Sequence, residues 1–230
     1  MIIIFVGPPG SGKSTQTRLL SKVLKSKGQK VVVLSLKRGF TTSIIEKTLY
    51  TTIYGRNRLY PYPLELLLRG AKAKLRRIVY LWFIINTFEL YSRILLLLAL
   101  NRMGRLILVE DYVPVAILDY VYVTMKLEIP IGKVWGYIKA LIRLYLKAYP
   151  SKVVVLNSTM EELIRRWSKR GRAEHSRMYL LTLQRVLPRL INALTRNPDK
   201  DTNLLDTTSR SVLDTLRDLI RGLRCLRVGY

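Results

Sequence analysis

The chain contains almost none of the cysteine on which disulfide scaffolds and zinc sites depend. Cys225 is the single cysteine among its 230 residues, which excludes an internal disulfide framework and any cysteine-rich zinc site. One cysteine also suits a reducing compartment, so we expect a cytoplasmic protein. A chain of this length can bury a substantial core and is most simply interpreted as one domain, residues 1–230.

Acidic residues are also scarce. Fifteen Asp and Glu stand against forty Lys and Arg, which gives a formal net charge of +25. Such an excess attracts polyanions, namely nucleotides, nucleic acid or an anionic membrane surface. A solvated basic surface accounts for the charge equally well, so the charge alone selects no partner.

The sequence lacks a long uninterrupted apolar run. The N-terminal "MIIIFV" is too short for a signal peptide and has no basic leader, so we expect none. The most apolar stretch, residues 78–100, is interrupted by Asn86, Glu89 and Arg93, each of which is costly at the centre of a bilayer. We therefore predict a buried helix and not an integral membrane protein. A membrane-associated segment is the alternative.

Five short apolar runs are present, and each is nearly continuous, as in the strands of a parallel sheet. They are residues 2–6, 30–36, 105–110, 152–157 and 202–206. Helix-competent stretches separate them, including a first helix over 13–27, long helical stretches over 64–99 and a last helix over 211–223. This alternation predicts an α/β fold, a three-layer sandwich around a five-stranded parallel sheet.

A glycine-rich loop follows the first predicted strand. "GPPGSGKST" matches the pattern G-x-x-x-x-G-K-[ST] of the P-loop. Its glycines let backbone N–H groups converge on phosphate oxygens, and the next helix points its N-terminus at the same anion. Lys13 can neutralise the β- and γ-phosphates, and Ser14 can bind Mg²⁺. The predicted ATP site is the loop Gly7, Pro8, Pro9, Gly10, Ser11, Gly12, Lys13, Ser14 and Thr15.

Other features narrow the class of P-loop protein. A guanine-specific motif is missing near the fourth strand, where "VVVLNSTMEE" stands, which disfavours a GTPase. The chain is also too short for the helical domain of AAA-type ATPases. A basic segment, "RRWSKRGR", follows the fourth strand, and this arrangement suits a kinase.

The sequence resembles the nucleoside monophosphate kinases and, within them, the thymidylate kinase family. The resemblance covers most of the chain and is carried by "GPPGSGKSTQTRLLSKVLKSKGQKVVVL", "LILVEDY", "ELIRRWSKRGR" and "NLLDTTSRSVLDTL". It implies transfer of the γ-phosphate of Mg·ATP to a nucleoside monophosphate, with dTMP favoured, and it implies a homodimer. It also implies an acceptor-binding region over about 38–100 and a lid over about 160–178.

The end of the third strand departs from the family pattern Asp-Arg-Tyr. Glu110, Asp111 and Tyr112 occupy these places, so an aspartate replaces the arginine that binds the acceptor phosphate in the family. Two carboxylates at this edge suit Mg²⁺ binding or activation of a hydroxyl acceptor. We predict that Glu110 and Asp111 are catalytic and that they bind the metal together with Ser14.

The resemblance also implies residues that bind the acceptor. Arg38 follows strand two, where the family has an arginine that faces the acceptor phosphate, and Arg69 and Arg93 are candidates on the long helix. Tyr112 and Tyr120 fall where the family cradles the acceptor base and sugar. Aromatic packing in the core is the alternative for both tyrosines.

The predicted lid is strongly basic. Arginines that close over the γ-phosphate would stabilise the charge that develops during transfer. Arg166 and Arg170, an i, i+4 pair on one helix face, are the favoured catalytic residues. In-line transfer needs no imidazole, so His175, the single histidine, is not assigned a role.

Two further functions remain alternatives. One keeps the kinase chemistry but transfers the phosphate to a polynucleotide end or to another hydroxyl, which the charge and Asp111 both favour. The other is an NTPase that docks on nucleic acid or an anionic membrane through its basic face.

Overall fold

A computed structural model describes five segments of the chain: residues 1–36, 72–148, 150–169, 177–195 and 202–223. Its strands are β1 (Ile2–Val6), β2 (Val31–Ser35), β3 (Leu106–Glu110), β4 (Lys152–Asn157) and β5 (Thr202–Asp206). All are parallel and lie in the order β2-β3-β1-β4-β5. All five predicted strands are confirmed, each to within one residue of its predicted ends.

Seven α-helices and one short 3₁₀ helix, Ile131–Lys133, lie in these segments. The α-helices are α1 (Lys13–Ser26), α2 (Lys72–Arg102), α3 (Val113–Lys126), α4 (Trp135–Lys147), α5 (Met160–Ser168), α6 (Arg177–Leu194) and α7 (Val212–Leu223). The predicted first and last helices are confirmed. The predicted long helix is confirmed from residue 72 onward, and residues 64–71 lie outside the described part.

The central strands β1, β3 and β4 are covered on both faces, which explains why they are continuously apolar. In β1, Ile3 and Phe5 pack into a core with α1 and α7. The alternate residues Ile2 and Ile4 face the opposite core, formed with α2, α3, α4 and α6. Because side chains alternate across a strand, a strand buried on both faces needs apolar residues at every position. The structure confirms the predicted α/β three-layer sandwich.

The strand order brings the ends of distant segments together. After β1 the chain moves outward to β2, returns to β3 beside β1, and then crosses to β4 on the other side of β1. Ligands of open α/β sheets bind at the carboxyl ends of the strands where such a reversal occurs. The loops after β1, β3 and β4 therefore meet at one edge.

Helix α2 is only half buried, which corrects the prediction of a buried helix. Residues Val79–Arg102 are long and apolar enough to cross a membrane. One face packs in the core through residues such as Phe83 and Ile94, and Asn86 Nδ2 donates to Tyr120 Oη at 3.1 Å. The other face is exposed, with Phe88 71% accessible. The interrupting asparagine thus belongs to the core-facing side, where it has a polar partner.

Candidate active site

The glycine-rich loop crosses the carboxyl ends of β1 and β4. Gly7 has φ 149°, and a Cβ on it would lie 2.0 Å from the carbonyl oxygen of Leu156 in β4. Only glycine permits this approach. Gly12, with φ 92°, precedes α1, whose first turn has no side-chain cap and no acidic residue. The N-terminus of α1 thus presents backbone N–H groups and positive dipole charge toward an anion.

Lys13 points across the mouth of this loop. Its Nζ donates to the carbonyl oxygens of Gly7 and Pro8 at 2.7 and 3.1 Å. It also lies 3.5 Å from Asp111 Oδ1, and both side chains are more than nine-tenths buried. The predicted loop lysine and the carboxylate after β3 therefore share one small site.

Ser14 and Glu110 form the second contact between the loop and β3. Ser14 Oγ donates to Glu110 Oε2 at 2.7 Å. Glu110 is the last residue of β3 and lies beside Phe5 of β1. The structure thus brings together Ser14, Glu110 and Asp111, the three predicted metal ligands. A hydroxyl and two carboxylates form a hard oxygen set of the kind that binds Mg²⁺ with the phosphates of a nucleotide.

Asp111 adopts an uncommon backbone conformation. Its φ is +50°, in the left-handed region, and its backbone N–H donates to the carbonyl oxygen of Phe5 at 2.9 Å. Such conformations cost roughly 1–3 kcal/mol and cluster at functional sites. Aspartate tolerates this region better than most residues. The turn directs its carboxylate back toward Lys13.

A pocket of about 580 Å³ opens on the other side of the loop. Its walls are the middle of the loop, the start of α1, helix α5 and the connection from β5 to α7. They comprise Gly10, Ser11, Gly12, Thr15, Gln16, Glu162, Arg165, Arg166, Thr207, Thr208, Ser209, Arg210, Ser211, Val212 and Thr215. Its position next to the loop suits the base and ribose of a nucleotide whose phosphates lie on α1.

Arg166 lies in the wall of this pocket. Its Nη2 donates to the carbonyl oxygen of Thr207 at 2.6 Å, and Nη1 donates to that of Gly10 at 3.3 Å. Its Nε donates to Glu162 Oε1 at 2.6 Å. These contacts place Arg166 in the pocket wall, and its predicted role at the γ-phosphate stays a prediction. Arg170 and residues 171–176 of the predicted lid lie outside the described residues.

Glu162 binds both Arg165 and Arg166. It accepts hydrogen bonds from Arg165 and Arg166, the first of which contributes most, and together they lower its pKa to about 2. The carboxylate is therefore ionised at neutral pH. The sequence shows that Glu162 and Arg166 are one helical turn apart. The orientation of this pair toward the pocket depends on β5.

Two threonines that the sequence did not single out fix the connection after β5, and one of them, Thr207, ties it to the loop. Thr207 Oγ1 donates to the carbonyl oxygens of Asn157 and Ser11, at 2.9 and 3.3 Å. Thr208 donates to Asp206 through its N–H and its hydroxyl, which lowers the pKa of that carboxyl. The motif "NLLDTTSRS" was a signal for this edge, although it did not identify the individual residues.

Arg93, a predicted acceptor residue, contacts the end of β2. Its Nη1 donates to the carbonyl oxygen of Ser35 at 2.9 Å, at the carboxyl end of β2. Ser35 lies directly beside Glu110 in the sheet. The guanidinium of Arg93 is thus held at the end of β2, the strand that neighbours β3. The other predicted acceptor residues, Arg38 and Arg69, lie outside the described residues.

Tyr112 and Tyr120 are core residues, which corrects their predicted role in acceptor binding. They are 1% and 0% exposed. Tyr112 Oη donates to the carbonyl oxygen of Ala148 at 2.7 Å, and Tyr120 Oη lies 2.9 Å from Thr87 Oγ1. Burial raises the pKa of both hydroxyls. Their apolar surroundings leave neither ring available to stack on a base.

Comparison with known proteins identifies the fold. No protein-family model matches the chain, and no curated protein sequence matches it. The thymidylate kinase of Candida albicans is similar in structure, with a TM-score of 0.57 and 18% identity, over 98% of this chain and 92% of that one. The deoxyadenosine kinase of M. mycoides, solved with bound dCTP, has a TM-score of 0.57 and 17% identity, over 98% and 100%. The chain has the fold of the P-loop nucleotide kinases, as its resemblance predicted.

Proposed function

We propose that the protein is an ATP- and Mg²⁺-dependent nucleotide kinase that phosphorylates a nucleoside monophosphate, with dTMP the favoured acceptor. The observation that carries this proposal is the double contact between the loop and β3, Lys13 with Asp111 and Ser14 with Glu110. A loop that held a nucleotide without chemistry would not need two carboxylates at its mouth. We place this role in nucleotide biosynthesis and in the cytoplasm.

The donor is held by two parts of the site. Backbone N–H groups of the loop and the N-terminus of α1 bind the phosphates, and Lys13 leaves the carbonyls of Gly7 and Pro8 to bind the outer phosphates. The base lies in the pocket against Arg166, whose guanidinium is fixed by Glu162 and Thr207. A fixed planar cation provides a surface on which an aromatic base can stack.

We attribute catalysis to the positioning of the reacting groups and to stabilisation of their charge. Mg²⁺, held by Ser14 and the carboxylates, would neutralise phosphate charge when bound. Lys13 would stabilise the charge on the transferred group, and Arg93 would orient the acceptor from the end of β2. The predicted catalytic role of Arg170 and the acceptor roles of Arg38 and Arg69 remain proposals.

A second acceptor class is favoured by one observation. Asp111 occupies the place of the arginine that binds the acceptor phosphate in the thymidylate kinase family, and it lies 3.5 Å from Lys13. A carboxylate repels an acceptor phosphate but can accept the proton of an acceptor hydroxyl. A nucleoside or a polynucleotide end is therefore the second candidate. The similar deoxyadenosine kinase acts, as its name states, on a nucleoside.

An acceptor panel tests the proposal. Purified protein with Mg·ATP should release ADP at a rate that depends on one monophosphate, and dTMP is compared with the other monophosphates and with nucleosides. Lys13→Ala should reduce transfer by about 10²–10³-fold, because it removes one preorganised cation from the phosphates. Lys25→Ala, an exposed change on the same helix, is the matched control. ATP turnover that nucleic acid stimulates and no acceptor affects would contradict the proposal.

We also propose two partners, a second copy of the chain and a polyanion. The homodimer follows from the resemblance alone, and sedimentation equilibrium tests it. Binding of a polyanion to the basic surface follows from the net charge of +25.

A further inference from the structure

The edge of the sheet opposite the candidate active site is built from the connections that lead into the strands. Because all five strands are parallel, these connections meet at one edge, which we call the amino edge. Three of them belong to the described part of the chain: residues 25–30 into β2, 101–105 into β3, and 147–152, without residue 149, into β4. Each begins in the last turn of a helix, namely α1, α2 or α4.

Backbone hydrogen bonds hold these connections side by side. The N–H of Leu106 donates to the carbonyl oxygen of Lys30 at 3.1 Å, which joins the connection into β2 to the one into β3. Strand β1 lies between β3 and β4, and the N–H of Ser151 donates to the carbonyl oxygen of Ile2 at 2.8 Å. The three connections therefore adjoin along the amino edge and form one surface.

This surface is basic throughout the three connections. Each connection contains two or three cationic residues and no acidic one. Lys27, Lys30 and Arg102 form no ion pair with any residue that the structure describes. The exposed cations are Lys25, Lys27, Lys30, Arg102 and Lys147, and Arg105 and Lys152 are partly exposed.

Helix dipoles account for only part of this charge. The cations in the last turns of α1, α2 and α4 complement the negative ends of these helices. Lys30, Arg105 and Lys152 lie three to five residues beyond those ends, where the dipole effect has fallen off. They form a row across β2, β3 and β4 that spans three strand spacings, or about 14 Å.

The acidic residues of the neighbouring elements lie at the other edge of the sheet. Glu110 and Asp206 end β3 and β5, and Glu162 and Asp214 lie in the first turns of the helices that follow β4 and β5. There Glu162 pairs with both arginines of α5. The fold thus separates these carboxylates from the cations of the amino edge, which stay available to an external anion.

We propose that the amino edge binds the phosphate backbone of a nucleic acid, without regard to base sequence. Lysine and arginine contacts to phosphates provide binding of this kind. The row of about 14 Å matches the axial length of roughly four base pairs at 3.4 Å each. The proposal locates the polyanion partner that the net charge suggested, and it is independent of the phosphotransfer activity.

Other partners fit this surface less well. An anionic bilayer holds a protein firmly when charge attraction is combined with burial of apolar side chains. Met103 and Leu146 are the exposed large hydrophobic residues in or next to the described parts of the three connections, and they belong to different connections. A second copy would bring an identical set of cations and would be repelled. The exposed face of α2, with Phe88, takes no part, so the proposal is compatible with the homodimer proposed above.

Fluorescence anisotropy with a labelled RNA duplex of about 20 base pairs tests the proposal, since the chain carries enough cations for several phosphate contacts. Lys27→Gln with Lys30→Gln and Arg102→Gln, the edge variant, should lower the slope of log K against log salt by up to about 3, at about 0.9 per contact. At about 0.1 M salt the same scaling gives a loss of affinity of up to roughly 10²–10³-fold. A duplex of unrelated sequence should bind within about twofold of the first.

A matched variant separates the amino edge from a general charge effect. Arg18→Gln with Lys133→Gln and Lys139→Gln removes the same charge from exposed positions in the first half of α1 and at or before the first half of α4, two helices that end at the amino edge. This control should bind the duplex within about threefold of the wild type, because charges more than a Debye length away are screened. Circular dichroism verifies that both variants are folded. ADP release in the acceptor panel should be unchanged in the edge variant, so a failure of the proposed kinase activity is distinguishable from a failure of this proposal.

Three results would overturn the proposal. The first is an equal loss of RNA binding in the edge variant and in the matched control. The second is a salt slope that the edge variant leaves unchanged. The third is binding to vesicles of phosphatidylcholine with phosphatidylglycerol that the edge variant loses while RNA binding is unchanged, which would assign the amino edge to a lipid surface.

Discussion

At the scale of single residues, a few residues define the site, and their geometry permits few other residue types. Gly7 must be glycine because the carbonyl of Leu156 occupies the space of a Cβ. Asp111 is held at a positive φ so that its carboxylate meets Lys13. The loop residues could be predicted because the pattern follows from what a phosphate requires locally. The partner of Lys13 could be placed only at a strand end, since the contact spans almost a hundred residues.

The identity of the acceptor is tested by Asp111→Asn. A monophosphate acceptor is already anionic and needs no base, so the loss of kcat with dTMP should be limited to the contribution of Asp111 to Mg²⁺ binding and should be smaller than the loss with a hydroxyl acceptor. Transfer to a hydroxyl would instead lose the 10²–10⁴-fold that a general base contributes. Steady-state kinetics with dTMP and with thymidine measure both. Glu110→Gln, which removes the negative charge that faces Ser14 Oγ, is the comparison variant and should impair both acceptors.

At the scale of secondary-structure elements, the ends of helices and strands were predictable, whereas the partners of their side chains were not. The apolar runs identified the central strands β1, β3 and β4 because burial on both faces requires apolar residues at nearly every position. The edge strands β2 and β5 are partly exposed but keep enough apolar residues to be recognised. The resemblance predicted Tyr120 at the acceptor, with packing in the core as the alternative. Its hydroxyl instead meets Asn86 and Thr87, more than thirty residues earlier. Tertiary packing of this kind leaves no periodic signal in the sequence.

The packing role of Tyr120 is tested by Tyr120→Phe. Loss of the hydroxyl leaves the buried Asn86 amide without this acceptor, which should lower the free energy of unfolding by about 1–3 kcal/mol. For a chain of this size that corresponds to a decrease in Tm of roughly 2–4 °C per kcal/mol. The KM for the acceptor should not change. A large increase in that KM at unchanged Tm would restore the tyrosine to the acceptor site.

The contact between α5 and the β5–α7 connection makes a distinct prediction for Arg166→Gln. If Arg166 forms the wall of the base pocket, the KM for ATP should rise about tenfold while kcat changes little. If it stabilised the γ-phosphate during transfer, kcat would fall about 10²–10³-fold. Kinetics at varied ATP distinguish the two. Arg165→Gln is the matched control, because the two hydrogen bonds from Arg165 go to Glu162 and not to the loop.

At the scale of the whole molecule, the composition shows the net charge, and the fold determines where that charge lies. The sequence could show an excess of +25 but could not show where it lies. The structure places part of it on the exposed side of α4, because the opposite side of that helix packs in the core. The active site, in contrast, holds the acidic residues Glu110 and Asp111 against Lys13 and Ser14.

This charge balance predicts the response of stability to acid. Glu162 and Asp206 have pKa values below those of the unfolded chain, that of Glu162 lying near 2. A depressed pKa contributes stability that is present above the unfolded value and is lost as the pH falls through the folded one. We expect Tm to decrease below about pH 4.5 and to keep decreasing toward pH 2, with protonation adding to the self-repulsion of a chain already at +25. Calorimetry measures this, and Glu162→Gln should lose Tm less steeply than the wild type. Equal slopes, with the loss reversed by salt in both proteins, would attribute the acid effect to net charge alone and contradict a role for the Glu162 ion pairs.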